Sequence, residues 1–337
     1  MESAAEALGR ANARAALVGN PSDGFGGKTI SVALAEFAAQ ATVSRSERLE
    51  IVPAAQDRNV YEGVDQLVAD VEANGYYGGL RLVKAAIKRF ADHCREAGHD
   101  FDGRVSVAYA TTIPRQVGLG GSSAIVIATM RALAAYLEIE LDPARLARLA
   151  LSAEADELGI PAGLQDRVVQ AYGGLVYMDF DPGARQPFEQ LDPGLLPPLF
   201  VAYRSDASEP SAAVHSDIRA RYDRGEPETV AAMDEAASLA ERGRACLLAG
   251  DHRRLGELMA ANVAARARIV ELDPRHARMI EVAEALGAPA NYAGSGGAVV
   301  GIRPEGRRTD ELREAFAAEG CDVIEPARRA AGQALSG

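Results

Sequence analysis

Six residues concentrate the chemistry of this chain. Gly118-Leu119-Gly120-Gly121-Ser122-Ser123 lead directly into the apolar run AIVIATMRALAAYL, Ala124 to Leu137. Glycines let backbone N–H groups approach an anion closely and accept positive φ. A helix starting there adds unpaired N–H groups and the positive end of its dipole. One serine can cap that helix, and a second can offer its hydroxyl to Mg²⁺. The bland alternative is a Gly-rich turn with a serine cap. Three glycines and two serines opening a long apolar helix favour phosphate binding over it. Two lookalikes fail on spacing. Gly26-Gly27-Lys28-Thr29 ends like a phosphate loop, but the first glycine of that pattern falls on Ser22. Gly294-Ser295-Gly296-Gly297 starts like a dinucleotide fingerprint, but its third glycine falls on Val299.

Carboxylates come next. Glu154 and Asp166 flank a break at Gly159-Ile160-Pro161, where a turn can bring both toward one site. One can hold Mg²⁺ while the other engages an attacking hydroxyl. Spacing alone does not single them out, because Asp156 and Glu157 stand equally available. Arg14 and Asp23 flank Gly19-Asn20-Pro21-Ser22. Asp23 can close an Asx-turn or accept from sugar hydroxyls. Arg14 lies in an apolar strand and calls for an anionic partner. The five histidines, His93, His99, His215, His252 and His276, form no metal spacing and are expected at the surface.

The elements that must position these groups follow from periodicity. Strands are expected at 13–19, over much of 29–52, at 105–112, 175–180, 199–203 and 321–325, and after the loop at 291–302. Helices are expected at 62–73, 78–97, from Ser122 onward, at 143–157 with Pro143 in the first turn, at 163–172 and near 309–318. Ala/Glu/Arg-rich helices should fill 209–286. Residues 181–198, with five prolines, read as a linker or domain crossing. The expected domains are therefore 1–185 and 186–337.

Bulk properties narrow the function classes. The 337 residues are 48% hydrophobic and 25% charged, a globular composition long enough for two domains. The net charge of −12, with no dense basic block, argues against nucleic-acid partners. No window reaches 18 consecutive apolar residues, so no membrane partner is expected. The first ten residues lack a basic n-region, and Cys94, Cys246 and Cys321 suit neither a disulfide framework nor a metal site. A cytoplasmic protein is expected. Oligomeric state is not legible.

Three segments in order resemble the motifs of the GHMP kinase superfamily: ARAALVGNPSDGFGG (13–27), PRQVGLGGSSA (114–124) and GSGGAVVGI (294–302). The strings GNPSDGFGGKT and ELGIPAGLQDRVVQAYGGLVYMDF are most similar to its glucuronokinase branch. The resemblance implies an α+β, two-domain fold, with an N-terminal α/β domain like that of a ribosomal protein and a C-terminal ferredoxin-like α+β domain. It implies ATP and Mg²⁺, and a small sugar or sugar acid phosphorylated at its anomeric hydroxyl, best matched by D-glucuronate. Another sugar or a small hydroxy acid is the alternative. On this resemblance Asp166 and Arg14 are catalytic. Pro114, Gly118, Leu119, Gly120, Gly121, Ser122, Ser123 and Ala124 take the nucleotide. Ser123 and Glu154 take the metal. Asp23, Lys28, Arg115 and Gly296 fall to the substrate side, where a uronate carboxylate would need Arg115, Arg167 or Lys28.

Overall fold

The computed structural model of the chain describes residues 6–54, 57, 63–64, 78–204, 218–271 and 273–327. The helix expected at 62–73, apart from residues 63 and 64, and the start of the helical stretch from 209 lie outside the described residues.

Strands β1 (Glu6–Val18) and β2 (Lys28–Arg45) form a long antiparallel hairpin in which Arg14 faces Ala33. Both exceed the short runs read from sequence, because small alanines interrupt the hydrophobic signal without interrupting the ladder. The burial of β1 alternates up to Asn12 and is continuous from Ala13 onward. That change marks where the sheet becomes covered on both faces.

One edge of β2 is taken by β1. The other is shared by β4 (Val105–Thr111), paired with Ala39–Arg45, and β5 (Leu175–Asp179), paired with Lys28–Val32. β3 (Glu50–Val52) joins β4 in parallel, and β6 (Phe188–Leu191) joins β5 antiparallel. The linker half of the reading of 181–198 is thus corrected: the prolines flank a four-residue strand that completes a six-stranded sheet, and the chain passes to a second sheet only after it, at 199.

Helices α1 (Gly79–Ala97), α2 (Gly121–Tyr136), α3 (Pro143–Ala155) and α4 (Gln165–Tyr172) accompany this sheet. Asp142 caps α3 by accepting from the Arg145 N–H at 2.9 Å, with Pro143 in the first turn as expected. α2 is buried almost throughout and lies against the backbone of β1: a Cβ on Gly9 would stand 2.0 Å from the Ala128 oxygen.

The second sheet is antiparallel in the order β10-β7-β9-β8. Its strands are β7 (Leu199–Tyr203), β8 (Ala290–Tyr292), β9 (Ala298–Ile302) and β10 (Asp322–Ile324). Around it run α5 (Pro227–Ala249), α6 (His252–Ala267), α7 (Pro274–Ala285) and α8 (Thr309–Ala317). One large apolar core spans both sheets, from Ala11 to Ile302, and a smaller one lies around Phe200, Tyr292 and Phe316. Among the described residues, no helix is long and apolar enough to cross a membrane.

Candidate active site

The Gly-rich turn lies where β1 meets the second sheet. On the edge of β1 that β2 does not use, the Arg14 N–H donates to the Leu119 oxygen at 3.1 Å. Two residues on, Ala16 donates to Ala293 at 2.9 Å. Two loops distant in sequence thus extend one strand. Gly118 and Gly120 hold φ of +72° and +74°, which an L side chain rarely adopts. The N-cap of α2 is Gly120, with no side-chain cap, so the expected serine cap is corrected. Ser123 sits one turn inside and donates its Oγ to the Gly120 oxygen at 3.1 Å. Gln170 of α4 donates to the same oxygen at 2.7 Å. Leu119 and Ala124 are buried beneath the turn, Ser122 is half-buried, and Pro114 is half-buried ahead of it.

Arg14 and Asp166 meet as the apolar strand required. Nε of Arg14 donates to Oδ1 of Asp166 at 2.6 Å. Its Nη1 donates to the Gly118 and Ala293 oxygens, at 2.6 and 2.7 Å. One buried guanidinium therefore ties the acid, the Gly-rich turn and the loop after β8 together. Asp166 occupies the first turn of α4, where the helix dipole favours negative charge.

Asp23 belongs to the same cluster. Gly163 makes room for it: a Cβ there would stand 2.1 Å from Oδ2. Burial, with the nearby Asp166 charge adding to it, pushes its carboxyl up to about 6 from 3.8. Because the folded value exceeds the unfolded one, stability is intact below pH 4 and is lost as pH rises through 6. Asp23→Asn should therefore match wild type in stability at pH 4 and exceed it by about 2–3 kcal/mol at pH 7.5, at 1.36 kcal/mol per unit. Thermal unfolding of both proteins across that range checks this. A gap that stays constant with pH would show that the carboxyl titrates normally.

Glu154 is singled out by burial. It is 1% exposed and receives Nε of Arg167 at 2.9 Å, with Nη2 donating to the same Oε2. Glu157, an equal candidate in sequence, pairs with Lys88 at 2.5 Å instead. Burial pushes the Glu154 carboxyl up against the opposing pull of Arg167. Among the described residues, no group of three or more His, Cys, Asp or Glu side chains could hold a metal. Mg²⁺ usually binds through one or two carboxylates with substrate phosphates and water. A hard hydroxyl and a hard carboxylate, Ser123 and Glu154, are the right donor types for it.

The remaining candidates divide. Lys28 pairs with Glu241 at 3.0 Å and Asp179 at 3.8 Å, at the start of β2. Arg115 is exposed on the loop before the turn. Gly296 lies beside Gly118 and His276, against the Gly-rich turn. His276 is 5% exposed, which corrects its expected surface position.

Sequence reasoning missed the buried asparagines that hold the Asp23 loop. Asn262 of α6 donates to the Asn20 oxygen at 2.8 Å. Asn20 donates to the Tyr292 oxygen at 3.0 Å, and Asn291 donates to Asn20 Oδ1 at 3.0 Å. Asn20, in the first Gly-rich segment, was the only visible signal.

Comparison with known proteins identifies the family. Residues 81–174 match the GHMP kinases N terminal domain. Glucuronokinase 1 of Arabidopsis thaliana is 40% identical over 321 residues, 90% of this chain and 87% of that one. Mevalonate kinase of Pyrococcus furiosus is 26% identical over 212 residues, 60% of this chain and 61% of that one. Among solved structures, Lactococcus lactis galactokinase complexed with galactose superposes with a TM-score of 0.75. That alignment covers 96% of this chain and 94% of that chain at 14% identity. With two relatives at 40% identity over nine-tenths or more of its length, the chain belongs to the GHMP kinases, on the glucuronokinase branch, and is a sugar kinase with an alcohol group as phosphate acceptor.

Proposed function

We propose that the chain phosphorylates the anomeric hydroxyl of D-glucuronate with ATP, giving D-glucuronate 1-phosphate and ADP. The observation that carries this is the Arg14–Asp166 pair, joined through the same guanidinium to the phosphate turn at Gly118. An acid that receives a hydroxyl proton is thereby held in fixed relation to the loop that receives phosphate. The likeness to glucuronokinase 1 supports the choice of sugar.

In this reading the backbone of 118–123 cradles the phosphates. Asp166 orients the sugar hydroxyl and accepts its proton as the oxygen bonds to the γ-phosphorus and the bond to ADP breaks. Arg14 keeps the carboxylate in position, and Asp23 accepts from sugar hydroxyls beside it. Mg²⁺, held by Ser123 and Glu154, would supply charge neutralisation at the phosphate oxygens when bound. Positioning and electrostatics provide most of the rate. The reading places the protein in the cytoplasm, with neither nucleic acid nor membrane as partner.

The test is ADP release with ATP, Mg²⁺ and a panel of D-glucuronate, D-galactose, D-glucose, a heptose and mevalonate. Glucuronate should give a kcat/KM at least about tenfold above the others, since a site built to pair a substrate charge rejects analogues lacking it. Loss of the reducing end in the product locates the phosphate. A preference for galactose or mevalonate would overturn the substrate.

A further inference from the structure

The phosphate turn rests directly on the third glycine segment, backbone against backbone. A Cβ on Gly294 would stand 2.1 Å from the Gly118 oxygen, and one on Gly118 would stand 2.6 Å from the Gly296 oxygen. One on Gly297 would stand 2.9 Å from the Val117 Cα. No side chain fits between the two loops, so whatever fixes residues 294–297 also fixes residues 117–118.

That support comes from α6, outside all three glycine segments. Arg266 donates Nη1 to the Gly294 oxygen at 2.7 Å and Nη2 to the Ser295 oxygen at 2.8 Å. Its guanidinium lies over the Tyr292 ring, 5.1 Å from the centroid. The residue is 4% exposed, and its Nε has no hydrogen-bond partner. Among the described residues, no carboxylate lies within ion-pair distance of it. Burial lowers its pKa to about 10, so it remains charged at neutral pH. The other buried arginines beside the site, Arg14 and Arg167, each face an acid.

A buried cation without a counter-charge is costly, and neutral carbonyls only partly compensate it. Its positive field falls on the loop it holds, and through that loop on the turn where a polyanion would sit. We propose that Arg266 is a positioning residue for the nucleotide. It braces residues 294–295 so that the 117–118 backbone keeps its phosphate-binding shape, and the triphosphate supplies the counter-charge that the apoprotein lacks. This rests on the nucleotide reading of the 118–123 turn.

The test separates the two claims. Calorimetric titration of wild type with Mg-ADP checks the nucleotide site itself, and no binding there would sink that reading. Arg266→Met should weaken Mg-ADP at least tenfold and raise KM for ATP similarly. KM for the sugar at saturating ATP, and kcat, should stay within about threefold. Equal losses for sugar and nucleotide would indicate a merely structural role and overturn the proposal. So would wild-type affinity for Mg-ADP in the folded variant. Should the Met variant fail to fold, Arg266→Gln keeps a donor to the loop while removing the charge. It should still lose at least threefold in Mg-ADP affinity, and unchanged affinity would overturn the counter-charge.

Discussion

Asp166→Asn should lower kcat by ~10²–10⁴ while leaving KM for both substrates within a few-fold, the usual worth of one oriented acid or base. The side chain is nearly isosteric, and the amide oxygen can still accept from Arg14 Nε, which stands 2.6 Å from the carboxylate in the native protein. Arg14 also keeps its bonds to the Gly118 and Ala293 oxygens, so the turn should hold its shape. What is lost is the proton acceptor. The substitution carries a second signature, because the Asp166 charge helps raise the Asp23 carboxyl. Without it, the Asp23 titration should move down from about 6 toward the ordinary 3.8. Steady-state kinetics and carboxyl chemical shifts followed against pH read the two effects separately. A loss smaller than tenfold in a folded variant would remove Asp166 from the reaction.

The second large effect is on stability. Arg167→Met leaves Glu154, 1% exposed, without the guanidinium that both Nε and Nη2 present to its Oε2. It also removes the Nη1 bond to the Gly163 oxygen at 2.8 Å, in the segment against which Asp23 rests. Breaking one side of a buried pair typically costs about 3–5 kcal/mol. The sign with pH follows from Glu154, whose carboxyl burial already pushes up. Without Arg167 its folded pKa rises further above the unfolded one. The variant should therefore be least impaired at low pH and lose stability as pH climbs through that raised value. Urea unfolding at pH 5 and pH 8 measures this. The double variant Arg167→Met/Glu154→Gln should recover most of the stability at pH 8, because no buried charge is then stranded. Full recovery of activity in that double variant would mean that Glu154 has no part in holding Mg²⁺.

The two effects separate what Arg14 and Arg167 do. Arg14 pairs with Asp166, and Arg167 pairs closely with Glu154 and more loosely with Asp166 at 3.9 Å; among the described residues Asp23 makes no ion pair and stays half-buried beside Asp166. Its raised pKa is the stability cost of burying a carboxyl there, and in the proposed function that carboxyl is the acceptor for sugar hydroxyls. On that proposal, a bound sugar would relieve the cost by donating hydrogen bonds to it.

Local pattern alone determined the Gly-rich turn at 118–123, the helix it opens, the need of Arg14 for an acid, and the three ordered segments that mark the family. Each is written within a dozen residues, where glycine conformations, serine hydroxyls and apolar periodicity act on near neighbours. Tertiary structure decided which carboxylates matter. Glu154 and Glu157 look alike in sequence, three residues apart, but one is buried against Arg167 and the other, in the turn after α3, pairs with Lys88. It also decided that 188–191 is a strand, because β5 offers an open edge there, and that His276, Asn262 and Arg266 are buried. Polar residues on Ala-rich helices read as solvated until another chain segment covers them. That cover comes from loops more than a hundred residues away in some cases and about thirty in others, and no local spacing records which face will be covered.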